Sequence, residues 1–432
     1  MVQDVVGYVS SKARGLVGAC QIPGNSDIAM MALALAAKSD GDSVLKNCSM
    51  RPEATAMIGA LAQLGVAVTR QDDSVTVVGG SLRAHDQGIQ VGQSQVMLAS
   101  IAGITAGAAF RTQLEGSAKP GSVMDALRSL GARVDGPMGA DYPITVGGSG
   151  LTGGSHTLSD PDTAVKVAFF LAGLDAPGDI HLVQNAAGDE DLEVLLKTAG
   201  VGFEKDKEVG KEGYHLVMSG GARPAAAMHD LPGDPTAALY LLGLATMLPR
   251  SELVLHSVGN DWKTRRALEL LRRFNAQIEI QVARSESKFP IRTVIAKPSD
   301  LRRTRIGAEQ ASLFLDEVPF LAVMGTRASG ETVIRDAQKL REGDVDCLSL
   351  MAQNLRLLGA KVGEMPDGLV VQGPVSLQGA ELDAGGDSRV AVALALAGMA
   401  AEGETQIAHV GSLLEDFKEL FSCLATVVNA KR

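Results

Sequence analysis

The sequence predicts an α/β protein of two similar domains, each holding three copies of one small βαβ-type unit. Three observations carry this reading. A helix closing on Leu-Gly or Ala-Gly, a strand, a polar turn and a second strand ending in Gly recur along the chain; the clearest copies span 57–80, 123–148, 192–221 and 351–373. Successive helix ends lie about 70 residues apart, too long for an ordinary solenoid but suited to a βαβ unit. Two breaker-rich segments, Ile22-Pro23-Gly24 and Leu231-Pro232-Gly233-Asp234-Pro235, then divide the chain. They set the expected domains at 20–231 and at 1–19 with 232–432. A cleft between two such domains is a natural enclosure for a small molecule.

Taken in order, 27–38 reads as an alanine- and methionine-rich helix that Asn25 or Ser26 caps. Segments 92–108 and 162–174 read as further helices. Apolar residues fill nearly every position of all three, the mark of a helix buried all round. Val75-Thr76-Val77-Val78, Ile144-Thr145-Val146 and Leu369-Val370-Val371 have the β-branched pattern of half-buried strands. Between them, 267–297 is a looser copy with Phe274-Asn275 at its turn, and the helix at 413–428 has no strands after it. The charged stretches 204–213 and 285–288 read as solvated hairpin tips.

Composition narrows the function. With 46% hydrophobic and 21% charged residues the chain is globular, and its net charge of −10 argues against a nucleic-acid partner. No apolar run is long enough for a bilayer and the start lacks a signal pattern, so no membrane association and a cytoplasmic location are expected. Cys20, Cys48, Cys347 and Cys423 are too widely spaced for a zinc motif and read as reduced thiols. The histidines, among them His85, His156, His181 and His229, show no metal spacing, so neither metal nor cofactor is expected. Met30, Met31 and Met97 read as core. Asp189-Glu190-Asp191 reads as a solvated acidic face.

Several motifs, in order, then point to a family. They are Ile22-Pro23-Gly24 with Ala32-Leu33-Ala34-Leu35-Ala36; Leu171-Ala172-Gly173-Leu174; Pro232-Gly233-Asp234-Pro235-Thr236; Leu315-Asp316-Glu317-Val318-Pro319; Leu340-Arg341; and Asp387-Ser388-Arg389. The chain resembles the EPSP synthases, enolpyruvyl transferases that join phosphoenolpyruvate to shikimate 3-phosphate, over essentially its whole length. The resemblance implies an enolpyruvyl-transferase fold with six βαβαββ units, three per domain, around an interdomain cleft.

Where the chain departs from that pattern, cations disappear. In the family's Pro-Gly-Asp/Ser-Lys-Ser-Ile-Ser-His-Arg loop, Ser26 replaces the lysine, Asp27 the serine and Met31 the arginine. Ala99 stands for another arginine, Asp162 and Ala164 replace the polar residues of Ser-Ala-Gln-Val-Lys-Ser, and Gly343 and Cys347 replace a lysine and an arginine. Lys119 and Lys166 keep positive charge at substrate-binding positions of the family. Each charge-assisted hydrogen bond to phosphate contributes about 1.5–3 kcal/mol. Losing about four such cations would weaken binding of the two phosphorylated substrates by many orders of magnitude.

An acid–base set remains. The resemblance makes Asp316 the carboxylate that takes the acceptor's proton and Asp344 the one that handles the methylene proton. It makes Arg341 and Arg389 substrate-binding groups. Simpler roles stand beside these: Asp316 as a helix cap, Asp344 and Asp346 as solvated turn residues, Arg389 as a packing salt bridge, Lys166 as an ion-pair partner. Three functions stay open: an enzyme or binding protein for a less anionic small molecule, a catalytically silent homologue acting through a protein partner, or the family's own reaction.

Overall fold

The computed structural model describes residues 7–428 except 72, 138–141, 149, 161, 186–187, 208–212 and 283–287. Parts of the two charged hairpin tips fall outside the described residues. The chain forms two compact units: Gly24–Pro232 with Ser285–Pro290, and Met1–Pro23 with Gly233–Arg284 and Ile291–Arg432. Residues 20 and 21 continue the strand Val17–Gln21, which pairs in parallel with Glu252–Val258, and so group with the second of these.

In the 24–232 unit, helices α1 (Ser26–Ala37), α2 (Gln95–Ala106) and α3 (Thr163–Gly173) pack on one another. Every residue of α1 is buried except Asp27, every residue of α2 except Gln95, and every residue of α3 except Thr163. A helix apolar on all faces can present polar chemistry only at its ends, and here the first turn is that end. Side chains satisfy the free N–H groups there: Asn25 accepts from Ile28 N at 3.1 Å, Ser94 from Met97 N at 3.1 Å and Asp162 from Val165 N at 3.0 Å. Asn25, and not Ser26, is therefore the cap of α1. Helix α4 (Asp191–Thr198) belongs to the third copy.

The other unit repeats the plan with α5 (Pro235–Met247), α6 (Trp262–Arg273), α7 (Val318–Arg327), α8 (Cys347–Leu357), α9 (Ser388–Ala400) and α10 (Lys418–Val427). Helices α5, α7 and α9 are its buried ones, with Thr236, Ser388 and Arg389 left out of the core at their first turns. Asp234 caps α5 and Asp387 caps α9.

Among the described residues, six small sheets accompany the helices. Five share one pattern, a parallel pair extended by an antiparallel hairpin, as in 154–158, 180–184, 214–218 and 203–207. In the sixth, Glu381–Asp383 pairs in parallel with Glu404–Ala408. Tyr8–Ser11 pairs antiparallel with Glu404–Ala408 and completes it. At the two crossings the backbone is tightly held. Asn25 N donates to Pro232 O at 2.9 Å, and Asp234 N donates to Pro23 O at 2.7 Å. Gly24 is obligatory there, since an added Cβ would sit 1.9 Å from Asn47 O.

Two of the four cysteines depart from the sequence expectation. Cys20 and Cys423 are joined as a disulfide with Cα atoms 6.1 Å apart, while Cys48 and Cys347 are buried thiols outside that bond. Their separation along the chain hid a pairing that the return of α10 onto the strand Val17–Gln21 creates. Among the described residues, no helix is long and apolar enough to cross a membrane.

Candidate functional site

In the unit holding α5–α10, candidate residues gather at the starts of α7, α8 and α9. Asp316 precedes α7, is 68% exposed, and accepts from Arg389 Nη1 at 2.9 Å. It is not a cap: Glu317 holds the cap position of α7 and makes no side-chain cap bond. Arg389 also donates from Nε and Nη2 to Asp387, at 3.0 and 2.6 Å. These bonds to Asp387, and then the one to Asp316, hold the guanidinium charged against the opposing effect of burial.

Cys347 is fully buried as the first residue of α8. Its thiol donates to Asp387 Oδ2 at 3.0 Å, and Arg389 Nη2 lies 3.3 Å from its sulfur. Burial and then Asp387 push the thiol up to about 12, so it is a protonated donor and not a nucleophile. The next residue back, Asp346, caps α8 and accepts from Arg341 Nη1 at 2.6 Å. Arg341 also faces Glu364 at 2.9 Å and donates to the carbonyls of Met365 and Pro366.

One run of side-chain contacts therefore links Asp316, Arg389, Asp387 and Cys347, and a second, Asp346 with Arg341, begins at the preceding residue. Asp344 is outside both. With Gly343 it lies exposed on the turn before α8, and it has no ion pair among the described residues. Sequence reading also missed Lys263. From the first turn of α6 it donates at 3.0 Å to the buried Glu317, which Thr236 contacts as well. Partial burial works against its charge, but Glu317, Asp234 and Asp316 outweigh it and raise its pKa. No local motif could have shown this, because Lys263 and Glu317 are 54 residues apart.

In the 24–232 unit the replaced positions have mostly joined the core. Met31, Ala99 and Ala164 are buried, Ser26 is buried with its hydroxyl unpartnered, and Asp27 is exposed. Asp162 is the α3 cap. Lys166, only 2% exposed, donates to both carboxylate oxygens of Glu193 at 3.1 Å and lies 3.4 Å from the Asp189 carboxylate. Burial opposes its charge; Asp189 and Glu193 together outweigh this and raise its pKa. Asp189, which sequence reading placed on a solvated face, is thus a partner of Lys166 and of Thr163. Lys119 is exposed and has no ion pair among the described residues. Its backbone is fixed by the Gln95 side-chain amide, which donates to Lys119 O at 2.9 Å and accepts from Lys119 N at 2.6 Å.

Comparison with known proteins places this arrangement. Residues 11–424 match the family profile of EPSP synthase (3-phosphoshikimate 1-carboxyvinyltransferase). The chain belongs to the EPSP synthase family. Among curated relatives, the 3-phosphoshikimate 1-carboxyvinyltransferases of Roseiflexus sp. and Herpetosiphon aurantiacus are 32% and 31% identical, each alignment covering 97% of this chain and 99% of theirs. Among solved structures, an EPSP synthase from Acinetobacter baumannii shares the fold with a TM-score of 0.85 at 21% identity, over 98% of both chains. The enolpyruvyl transferase NikO from Streptomyces tendae does so with a TM-score of 0.72 at 20% identity, over 97% of this chain and 96% of that one. The enolpyruvyl-transferase fold expected from the sequence is thereby established. Of the four cations singled out in the sequence, Lys166, Arg341 and Arg389 each face carboxylates of the chain itself.

Proposed function

We propose that this EPSP synthase family member is a carboxyvinyl-transferase-like enzyme or binding protein for a small molecule less anionic than two phosphorylated substrates. One observation carries the reading: three of the four cations kept at family positions are already neutralised from within. Arg389 is matched by Asp387 and Asp316, Arg341 by Asp346 and Glu364, and Lys166 by Glu193 and Asp189. An incoming phosphate would have to displace a carboxylate from each. Asp162, Asp234 and Asp387 further occupy helix N-termini that would otherwise favour an anion. Lys119 alone of the four retained cations is unpaired among the described residues, which suits a ligand with a single carboxylate.

In this reading Asp316 is the base, oriented by its hydrogen bond from Arg389, and Asp344 is the second carboxylate. A general base takes a proton only from a group within hydrogen-bond reach of it. Calorimetry tests the reading, with phosphoenolpyruvate, shikimate 3-phosphate and unphosphorylated shikimate as probes. The expected result is no binding of either phosphorylated compound at millimolar concentration. A second reading, the family's own transfer of enolpyruvyl to shikimate 3-phosphate, draws support from the names of relatives at 31–32% identity. Micromolar affinity for both phosphorylated compounds would establish it and overturn the first.

A further inference from the structure

We propose that His181 and His215 form a two-imidazole chelate for a borderline divalent transition cation such as zinc, nickel or copper(II). They lie on neighbouring central strands of the third sheet of the 24–232 unit. There Ile180–Gln184 pairs antiparallel with Tyr214–Met218, with Val183 opposite His215 and His181 opposite Val217. Residues directly opposite or two apart share a face of a sheet. Both histidines therefore emerge as diagonal neighbours on one face, while Leu182 and Leu216 between them are buried on the other. The strands are thus anchored by the core, and the two rings are half-buried above them.

The geometry suits a metal. His181 Nδ1 lies 3.2 Å from His215 Nε2, with ring centroids 5.3 Å apart and planes tilted by 22°. Two imidazole nitrogens bound at 2.0–2.1 Å in a tetrahedral site stand about 3.3 Å apart. The cation needs no movement of either strand. Without metal, one ring must donate to the other. On binding, that proton moves to the other nitrogen of its own ring and leaves a lone pair for the cation. Asp206 stands directly opposite His215 on the next strand and Ser155 opposite His181 on the other side, so the rings are flanked by polar groups.

Among the described residues no group of three histidine, cysteine or acidic side chains is placed to hold a metal, so water completes the coordination and the site is open. Imidazole donors select zinc, nickel or copper over magnesium and calcium, which require oxygen ligands. The thiols do not compete: Cys48 and Cys347 are buried and the other two are paired. A separation of 34 residues kept the pair invisible to any motif search.

The test is isothermal titration of the tag-free full chain with zinc chloride and with nickel chloride at neutral pH. Binding of one cation per chain is expected, weakened at least about tenfold in His181→Ala and equally in His215→Ala. The asparagine variants should behave as the alanine ones, and circular dichroism and the melting temperature should stay unchanged in all four. No stoichiometric binding by the parent chain would overturn the proposal. Binding retained in both alanine variants, or lost in only one of them, would overturn it as well.

Discussion

Asp316 spends its charge on Arg389 and leaves the start of α7 uncapped, which separates its chemistry from its part in folding. An ion pair with one partner 68% exposed contributes little to stability. Asp316→Asn should therefore shift thermal unfolding by less than about 1 kcal/mol, the loss expected had it been a cap. The same change should abolish any turnover found. His229 is the opposite kind of residue. It is 2% exposed, and burial, then Lys288, lower its pKa from the ordinary 6.5 to about 4. The unfolded chain binds this proton below pH 6.5 and the folded one only near pH 4. Its contribution is complete above pH 6.5 and is lost as pH falls towards 4, in total about 3 kcal/mol. Urea unfolding across that window should show a shallower fall in stability for His229→Asn than for the parent chain. Residues like these were half legible. The acids and arginines near Asp316 could be named from the sequence, but what each one touches is fixed by partners up to 73 residues away.

At the scale of elements, α3 and α4 are joined through one buried charge. Lys166 looked like a ligand or an ion-pair partner because a lysine inside an apolar helix needs some reason to be there. The structure supplies the pair, Glu193 from α4 together with Asp189. Removing one member strands the other. Lys166→Met should destabilise the protein by about 3–5 kcal/mol, and adding Glu193→Leu should restore most of it, since an apolar pair of similar volume carries no desolvation cost. Chemical denaturation of the three proteins checks this. The helices themselves were plain in the sequence, down to ends that differ by only a few residues, because continuous apolar runs bounded by Asn25, Ser94 and Asp162 have only one economical fold. The Glu193 contact was not, since α4 reads as an ordinary amphipathic helix.

For the whole molecule, the repeat was legible and its closure was not. Helix endings and glycine turns revealed six copies, yet nothing local shows that Tyr8–Ser11 completes the last sheet or that Cys20 meets Cys423 across a separation of 403 residues. A crosslink closing so long a loop restricts the unfolded chain strongly, and native disulfides typically contribute about 2–4 kcal/mol. Reduction with a phosphine should lower the unfolding midpoint, and Cys423→Ser should lower it equally while becoming insensitive to the reductant. The crossings carry a further consequence. Asn25 is bonded to Pro232 and Asp234 to Pro23, so at this pair of crossings the ends of the 24–232 stretch are held beside one another, and Ser285–Pro290 is the one further excursion of the chain into that unit. Residues 24–232 thus form a cassette whose excision takes a short glycine splice between Pro23 and Gly233 and a second in place of Ser285–Pro290, the tip that packs with it. Each piece, expressed alone, should fold with its own cooperative melt, so that a gene encoding either half already encodes a module that recombination can move.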